Sequence, residues 1–337
     1  MRKIRIAQIG INRHSHAGEI FDTLKKLPEI FEIVGYAIVE DERETCAKKL
    51  DVFEGYREMT VEEILSDETI EAVAVETDEI HLTKYATMVA KAGKHMHMEK
   101  PGGTDLRAFE EMIELVKKNG KVFHVGYMYR YNPYISQLIK ESKEGKYGTV
   151  YTVEAQMNRY DKASTREWLS AFPGGMMFYL GCHLVDLLLQ IKGDPIRITP
   201  YNGVTGFDGV TAQDAAFAVF EYPEGASFVK VAGTEIGGGN RRQLVVCAER
   251  GVVELRPLEK TAPGEKYCHT TGRRTVVLDE NGKSKTETDE SEVFHRYKDM
   301  LRAFAAMVRG EKENPYTVDY ELKLYRTMLK ACGVDVE

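Results

Sequence analysis

Apolar and polar positions along the first third of the chain predict strands and helices that follow each other in turn. Ile4 to Ile9 has the apolar character of a buried strand, and Ala17 to Leu24 repeats apolar residues at helical spacing. Another strand is predicted at Ile33 to Val39, and Lys121 to Met128 is counted as a sixth. Because such alternation is typical of helices packed on a parallel sheet, we predict a doubly wound α/β domain over residues 1 to 123.

The pattern changes after Pro133, where one helix is followed by strands that succeed each other directly. Segments of strand character are Thr149 to Met157, Arg197 to Val204, Asp214 to Tyr222, Ala226 to Ala232, Leu244 to Cys247, Val252 to Leu255 and Thr275 to Leu278. Glu280-Asn281-Gly282 is a hairpin signal. Residues 124 to 337 are therefore predicted to form an α+β domain with an open, mainly antiparallel sheet, whose final helices are free to pack back on the first domain.

Composition and charge exclude several classes of protein. A net charge of -7 with spread acidic groups lacks the basic stripe of a nucleic-acid binder. Five cysteines, odd in number and without a C-x-x-C pair, argue against a disulfide framework and a zinc ribbon, and no metal site is predicted. Neither a signal peptide nor an eighteen-residue apolar run is visible, so we expect a soluble, cytoplasmic protein without a membrane partner.

The candidate with the strongest chemistry lies in the stretch from His95 to Pro101. It follows a predicted strand at Glu71 to Thr77 and a helix that Gly93 ends, which puts Lys100 at the carboxyl end of a strand. Ligands bind at that edge of an open parallel sheet, and a lysine desolvated by a ligand can take part in proton transfer. The alternative is a solvated lysine in a loop.

The first β-α turn lies where a dinucleotide fold holds the pyrophosphate. Gly10 is the only one of the three expected glycines, since Asn12 takes the second position and Ser15 the third. Asparagine adopts positive φ more readily than most residues and serine caps helices, so an anion site at the helix N-terminus remains open. Arg13 in this turn is a weak indication of a 2′-phosphate, and thus of NADP.

An acidic residue that binds the ribose is expected at the end of the second strand. Ile38 occupies the expected position, and Glu40 follows two residues later. Since side chains two residues apart in a strand point to the same face, Glu40 is the candidate substitute.

A third candidate region is the helix that starts near Gly174-Gly175. Tyr179, His183 and Asp186 fall at i, i+4 and i+7, which puts them on one polar stripe of an α-helix. A histidine is a natural proton carrier, and a carboxylate three residues on could orient it. The alternative is a structural histidine bonded to a backbone carbonyl.

Several motifs together resemble the glucose-fructose oxidoreductase, inositol dehydrogenase and MocA (Gfo/Idh/MocA) family of NAD(P)-dependent oxidoreductases. The resemblance covers nearly the whole chain. It rests on Thr77-Asp78-Glu79-Ile80-His81, Ala92-Gly93-Lys94-His95, Glu99-Lys100-Pro101, Val125-Gly126-Tyr127 with Arg130, Tyr131 and Pro133, Gly174-Gly175, Gly181-x-His183-x-x-Asp186, and Pro315 to Leu322.

The resemblance implies a Rossmann-type first domain that binds NAD or NADP, and a sugar or polyol substrate. It assigns Lys100 and His183 to the reacting hydroxyl, and we predict that Tyr179, one turn before His183, is a third catalytic residue that faces the ligand. Residues implied to bind the cofactor are Gly10, Asn12, Arg13, Ser15, Glu40, Thr77, His81, Glu99, Lys100 and Pro101. Residues expected at the substrate are Arg130, Tyr160, Arg166, Trp168 and Asp186. A homodimer or homotetramer joined through the second sheet is also implied.

Three departures from the family pattern leave alternatives open. They are the glycine loop with one glycine in three, Ile38 in place of the ribose acid, and Tyr179 where the family has a catalytic aspartate. One alternative is a non-catalytic sugar-binding or regulatory protein on the same fold. The other is an elimination-type glycoside hydrolase that retains NAD.

Overall fold

The computed structural model describes residues 2–261 and 267–336. The chain folds into two compact units, Met1–Tyr127 with Tyr297–Tyr325, and Met128–Arg296 with Arg326–Glu337. The predicted division into functional domains at residue 123 stays a prediction.

Five parallel strands form the sheet of the first unit, in the order β2-β1-β3-β4-β5. They are β1 (Ile4–Ile9), β2 (Phe31–Ala37), β3 (Ala72–Val75), β4 (His95–Met98) and β5 (Phe123–Val125). The helices are α1 (Ala17–Lys25), α2 (Glu42–Thr45), α3 (Val61–Ser66), α4 (Leu82–Lys91) and α5 (Leu106–Asn119). The predicted doubly wound sheet is confirmed. The count of six strands is wrong, because β5 is the fifth strand among the described residues of this sheet.

Local sequence explains where these helices begin and end. Thr60 and Glu63 form a reciprocal capping box at the start of α3. The Asp105 carboxylate accepts the Ala108 amide proton at 3.0 Å to start α5, and Gly120 ends that helix in the left-handed conformation. β3 is buried along its whole length, as a central strand covered on both faces must be.

The second unit contains an eight-stranded sheet in the order β15-β14-β11-β10-β6-β9-β8-β7. Its strands are β6 (Val150–Asn158), β7 (Arg197–Pro200), β8 (Ala215–Tyr222), β9 (Gly225–Ala232), β10 (Gln243–Ala248), β11 (Gly251–Leu255), β14 (Thr271–Val277) and β15 (Ser284–Glu290). A small sheet holds β12 (Lys260–Thr261), β13 (Tyr267–His269) and β16 (Phe294–His295). All neighbours in the large sheet are antiparallel except β6 and β9, so the mainly antiparallel prediction is confirmed.

The hairpin predicted at residues 280–282 is confirmed, because β14 pairs with β15 from Val277 and Ser284 onward. β15 itself was missed. All its seven residues are exposed and polar, so it has no apolar period for a sequence pattern to detect.

Helices cover the inner face of the large sheet in the second unit. They are α6 (Pro133–Lys143), α7 (Ala163–Trp168) and α8 (Cys182–Lys192), and a π-helical turn at Met177–Gly181 leads directly into α8. The chain ends with α9 (Lys298–Val308) and α10 (Val318–Ala331). Among the described residues, no helix is both long and apolar enough to cross a membrane.

Candidate functional site

Lys100 lies two residues beyond β4, at the carboxyl edge of the parallel sheet, and is only 3% exposed. Its ammonium nitrogen is 3.9 Å from Glu79 Oε1 and 3.7 Å from Glu99 Oε1, and its backbone amide donates to Glu99 at 3.0 Å. A fully buried ammonium is costly unless it is paired, so the two carboxyl groups compensate its charge. The solvated-loop alternative for Lys100 is therefore wrong.

The buried carboxyl groups around Lys100 hold protons more tightly than free ones. Burial raises the pKa of Glu79 to about 8, against the opposing effect of the Lys100 charge. Burial likewise raises the pKa of Glu99 and, together with the neighbouring carboxylates, that of Glu76, which directly follows β3. Burial therefore favours the protonated form of these three carboxyl groups, whereas the Lys100 charge favours the ionised form.

The turn after β1 keeps one glycine because the backbone requires it there. Gly10 has φ +87°, and a Cβ on it would lie 2.6 Å from Thr77 Cα, at the end of the neighbouring strand. No L-residue with a side chain fits that approach. The loop therefore preserves the close contact of β1 with β3 at the predicted cofactor edge.

Asn12 replaces the second glycine and bonds the turn internally. Its side-chain oxygen accepts the amide protons of His14 at 2.7 Å and Ser15 at 3.1 Å. Its side-chain nitrogen donates to Thr77 O at 3.3 Å and to Glu79 Oε2 at 2.7 Å. Asn12 thus occupies two of the amides that would face an anion at this turn, and it joins the turn to the partner of Lys100.

Glu42 was missed by the sequence reasoning, which selected Glu40. The buried Glu42 carboxylate accepts from the Ile11 and Val39 amides, both at 3.1 Å, and from Thr77 Oγ1 at 2.5 Å. Burial raises its pKa to about 7 although these three donors favour the ionised form. Since its oxygens serve the ends of three strands, Glu42 holds the edge together.

Glu40 has φ +52° and accepts from Lys84 Nζ at 2.6 Å and Tyr85 Oη at 2.8 Å, and these bonds lower its pKa. His81 Nδ1 is 3.9 Å from the same carboxylate. Arg13 is ion-paired with Asp78 at 3.3 Å and with Asp41 at 3.8 Å. The roles of these side chains toward a ribose or a 2′-phosphate stay predictions.

In the second unit, His183 lies in the first turn of α8 and is buried. Its ring packs edge-on against Tyr129 at 5.3 Å, and Tyr179 packs edge-on against Trp168 at 5.1 Å. Tyr179 lies inside the π turn, which inserts one residue relative to an α-helix. The relative positions of Tyr179 and His183 therefore differ from those of residues i and i+4 in a regular α-helix. Their catalytic roles stay predictions.

Asp186 and Arg130 face each other in a buried, bidentate pair. Arg130 Nε and Nη2 donate to the two carboxylate oxygens of Asp186, both at 2.9 Å, and Gln190 donates to the same carboxylate at 2.9 Å. This arrangement fixes α8, and with it His183, to the segment at the start of the second unit. Substrate binding by either residue stays a prediction.

Arg166 was predicted to bind substrate, and its donors are largely used inside the protein. Nε donates to Asp161 O at 3.1 Å, and Nη1 donates to Phe207 O at 3.1 Å and to Asp214 at 2.8 Å. Nη2 pairs with Asp208. A substrate would have to compete with these acceptors. Tyr160, another predicted contact, is 58% exposed.

A second group of residues was missed because its members are far apart in sequence. Tyr129 donates to Glu259 Oε1 at 2.9 Å, and the same carboxylate pairs with Arg242 at 3.0 Å and Arg296 at 2.9 Å. Since His183 packs on Tyr129, this charged group lies next to the predicted catalytic histidine. No local motif marks it.

Two sequence profiles match the chain, and together they cover most of it. Residues 4–127 match the profile described as "Oxidoreductase family, NAD-binding Rossmann fold". Residues 135–254 match the GFO/IDH/MocA C-terminal domain. The chain belongs to the Gfo/Idh/MocA family. This confirms the family prediction, the prediction of an oxidoreductase and the prediction of a nicotinamide dinucleotide as cofactor.

Similar proteins cover both units. An uncharacterized oxidoreductase of Rhizobium meliloti is 22% identical over 314 residues, which is 88% of this chain and 89% of that protein. A scyllo-inositol 2-dehydrogenase (NADP(+)) of Bacillus subtilis is 25% identical over 59% of this chain and 55% of its own length.

Solved structures show the same fold at low identity. A putative NADPH-dependent oxidoreductase from Desulfitobacterium hafniense has a TM-score of 0.80 and 16% identity, covering 99% of this chain and 95% of that one. A levoglucosan dehydrogenase in complex with NADH and levoglucosan has a TM-score of 0.78 and 15% identity, covering 98% of each chain.

The residues of the first unit fit a dinucleotide. Gly10 lets the turn run directly against Thr77, since a Cβ there would collide with Thr77, and this keeps the backbone of the turn at the edge of the sheet. Glu79 Oε1 is buried without a hydrogen-bond partner among the described residues, although Lys100 lies near it. A buried polar atom of this kind marks a place for a polar ligand group or water. A dinucleotide pyrophosphate must, however, share the His14 and Ser15 amides with Asn12.

Proposed function

We propose that this oxidoreductase transfers a hydride to or from a carbon that bears a hydroxyl or carbonyl in a sugar or polyol, with Lys100 and His183 exchanging the proton. The observation that carries the proposal is the burial of Lys100 between Glu79 and Glu99 at the carboxyl edge of the parallel sheet. Relatives named as an inositol dehydrogenase and a levoglucosan dehydrogenase support this substrate class.

When the cofactor is bound, its nicotinamide ring supplies or accepts the hydride. Gly10, Ser15 and Thr77 would hold it at the first β-α turn, and Asn12 would compete with its pyrophosphate for the His14 and Ser15 amides. Further cofactor contacts proposed from the family resemblance are Arg13, Glu40, His81, Glu99, Lys100 and Pro101.

Lys100 performs the proton step at its Nζ atom. Oxidation of an alcohol releases a proton from the hydroxyl, and a neutral lysine amine accepts it. The two carboxyl groups next to Lys100 stabilise the ammonium that forms. Reduction of a carbonyl uses the same group in the opposite direction. Water is excluded because Lys100, Glu79 and Glu99 are all buried.

His183 is proposed to hydrogen-bond the substrate oxygen from the second unit. The Arg130–Asp186 pair and the Tyr129 ring hold the first turns of α8 in place, so the imidazole position is fixed before substrate arrives. In this proposal, Asp186 and Arg130 position α8. Tyr179 and Trp168 would offer aromatic faces to a sugar ring.

The test is Lys100→Met, measured with NADH and NADPH fluorescence titrations and with turnover of a panel of sugars and polyols. Loss of a proton carrier typically lowers the rate by roughly 10²- to 10⁴-fold, whereas cofactor affinity should stay within a few fold. Lys91→Met, on the exposed side of α4, is the matched control and should change neither quantity. Unchanged turnover in Lys100→Met would refute the lysine assignment. Binding of both NADH and sugars without any turnover would favour the non-catalytic alternative.

We also propose that the protein is a homo-oligomer joined through the outer face of the large sheet. That face carries half-buried apolar side chains, with Phe217 and Phe228 stacked at 5.4 Å and Tyr201 at 6.2 Å from Phe217. Val219, Val245 and Val252 extend the face along β8, β10 and β11. An accessible apolar sheet face of this kind is usually covered by another protein surface. We propose that the same face of a second copy covers it, as in a twofold symmetric interface.

A further inference from the structure

Two arginines of the second unit share one carboxylate beside the predicted catalytic histidine. Arg242 and Arg296 both pair with Glu259, at 3.0 Å and 2.9 Å, so two guanidinium groups share one carboxylate. Most of the other arginine pairs in this chain are exposed, whereas the side chains here are 20% and 19% accessible and Glu259 is 4% accessible.

Arg242 keeps one donor without an acceptor, in contrast to Arg166. Its Nη1 donates to Glu259 and its side chain also bonds Tyr129, whereas its Nε is buried without a hydrogen-bond partner among the described residues. The guanidinium has five donors in a planar fork that suits a carboxylate or phosphate. Arg166 uses its donors on two carboxylates and two carbonyls. Arg242 is therefore the guanidinium with free capacity at this end of the sheet.

A second carboxyl group that interacts with Arg242 is that of Asp161. Asp161 interacts electrostatically with Arg242, but its own ion pair is with Arg159 at 2.7 Å. Its Oδ2 atom is buried and has no hydrogen-bond partner among the described residues. A ligand that offers a hydroxyl to Asp161 and an anionic oxygen to Arg242 would satisfy both unmade bonds.

The position of Arg242 relates it to the reacting end of a substrate. Tyr129 packs on the His183 ring and donates to the carboxylate that Arg242 shares. The charged group and the imidazole are thus separated by about one tyrosine side chain. In a sugar acid or sugar phosphate, the anionic group and a secondary hydroxyl lie a few bonds apart, which is a comparable separation.

We infer that Arg242, supported by Arg296 and Asp161, binds an anionic group of the substrate, so that the substrate is an acidic sugar or polyol derivative with a carboxylate or phosphate. The reaction on this substrate rests on the proposed function. The binding of an anionic group by Arg242 does not depend on it. Loss of a hydrogen bond to a charged group costs about 1.5–3 kcal/mol, which corresponds to a roughly 10- to 100-fold change in affinity.

The experiment measures binding of D-gluconate, D-glucuronate and D-glucose 6-phosphate by calorimetry, with D-glucose and D-glucitol as neutral counterparts. The full-length protein is used with and without NADH. We expect at least one acid to bind 10-fold or more tightly than its neutral counterpart, and the carboxylate and phosphate arms show which anion is preferred. Arg242→Gln should remove this preference without weakening the neutral sugars.

Arg241→Gln is the matched control, because this neighbour pairs with Glu235 and is 49% accessible, and it should stay within twofold. Arg242→Lys keeps the charge and the ion pair with Glu259 but loses the fork, so it should recover part of the preference. It also serves as the folded variant if Arg242→Gln has a melting temperature too low for the binding measurement. Equal affinity for acids and neutral sugars, an unchanged preference in both Arg242 variants, or no acid binding below about 10 mM would each overturn the inference.

Failure of the reaction is distinguishable from failure of the anion site. Turnover of neutral sugars with no effect of Arg242→Gln would leave the proposed function standing and remove the anion site. Selective binding of acids through Arg242, with no hydride exchange on any sugar, would leave the anion site standing and remove the proposed function.

Discussion

At the scale of single residues, Asn12 shows how one side chain changes the meaning of a familiar loop. A glycine at this position would leave the amides of His14 and Ser15 to a phosphate, whereas the Asn12 carboxamide accepts from both. The same side chain donates to Glu79, which lies beside Lys100. The turn after β1 is therefore coupled to the predicted catalytic lysine through one residue.

Replacing Asn12 should affect stability and cofactor binding in opposite directions. Asn12→Ala removes the side-chain bonds to the His14 and Ser15 amides and to the buried Glu79 carboxyl group, so the free energy of unfolding should fall by about 1–2 kcal/mol. The freed amides become available to the pyrophosphate, so NADH affinity of the folded protein should rise several-fold. Urea unfolding and NADH fluorescence measure the two quantities.

Asn281→Ala in the exposed tip between β14 and β15 is the control for Asn12→Ala and should change neither quantity. A parallel loss of stability and NADH affinity in Asn12→Ala would contradict competition between Asn12 and the pyrophosphate.

Glu79 should make stability depend on pH. Its pKa is about 8 in the folded protein and 4.5 in the reference state, and burial is the main cause. An acid with a raised folded pKa contributes stability that is fully present below pH 4.5 and lost as pH rises through 8. Glu79→Gln mimics the protonated form, so the mutant should gain stability relative to the wild type across this window, by an amount on the order of a few kcal/mol.

Thermal melts of both proteins at pH 5, 7 and about 9 would measure this difference. Glu111→Gln, an exposed carboxylate in α5, is the control and should show a flat difference. A flat difference for Glu79→Gln as well would mean that Glu79 is ionised throughout, as a full partner of Lys100.

At the scale of elements, the π turn before α8 decides how the second candidate region is presented. Regular helical spacing predicted one stripe of Tyr179, His183 and Asp186. Tyr179 lies in the π turn, and Asp186 is held by Arg130 from another segment. π turns are frequent at functional sites because the extra residue redirects side chains. The helix therefore presents His183 in a geometry that its local sequence pattern does not give.

Gly175 should be essential to the start of this region. It has φ +48°, and a Cβ on it would overlap the backbone carbonyl oxygen of Gln213. Gly175→Ala combines backbone strain with an overlap that no rotamer relieves, so we expect a loss of about 3 kcal/mol or more in the free energy of unfolding. Chemical denaturation followed by circular dichroism measures it.

Gly120, at the end of α5, provides the matched control. It also has positive φ, +60°, in the left-handed helical region, but a Cβ there meets nothing within 4 Å. Gly120→Ala should cost only the conformational strain, about 1 kcal/mol. Equal losses in the two variants would show that the overlap at Gly175 is relieved by movement of the loop that holds Gln213.

At the scale of the whole molecule, the two sheets differ in how their faces are used. The first sheet is parallel and has helices on both faces, which buries β3 completely. In the second sheet, alternate residues of β8 are buried and half-buried, so one face packs on the helices and the other stays accessible. The proposed oligomer accounts for that second face.

A charge on this face should separate the proposed oligomer. Phe217→Lys puts an ammonium in the centre of the apolar face, where desolvation on association would be costly. Light scattering coupled to size exclusion should then change from an oligomer mass to the 38.2 kDa monomer. Ile236→Lys, at a residue 87% exposed in a loop, is the control and should leave the mass unchanged. A monomer mass for the wild-type protein at micromolar concentration would contradict the oligomer itself.

The sequence by itself determined the architecture and the place of Lys100. Strand and helix periods are local properties, so the alternation up to β5 and the strands after Pro133 could be predicted from neighbouring residues alone. The Glu-Lys-Pro stretch follows β4 in the sequence, and every parallel strand in such a sheet ends at the ligand edge. β15 was missed because all seven of its side chains are exposed, so its sequence has no alternation of apolar and polar residues.

Only the tertiary structure decided which polar groups meet. Arg130 pairs with Asp186 from 56 residues away, and Tyr129 bonds Glu259 from 130 residues away. Glu42, Asn12 and Glu79 are joined across three strand ends. Hydrogen bonds and ion pairs depend on distances of a few ångströms that the fold creates, and they leave no period in the chain. For that reason the sequence, which predicted Arg130 and Arg166 at the substrate, could not show that the Arg166 donors bond acceptors inside the protein.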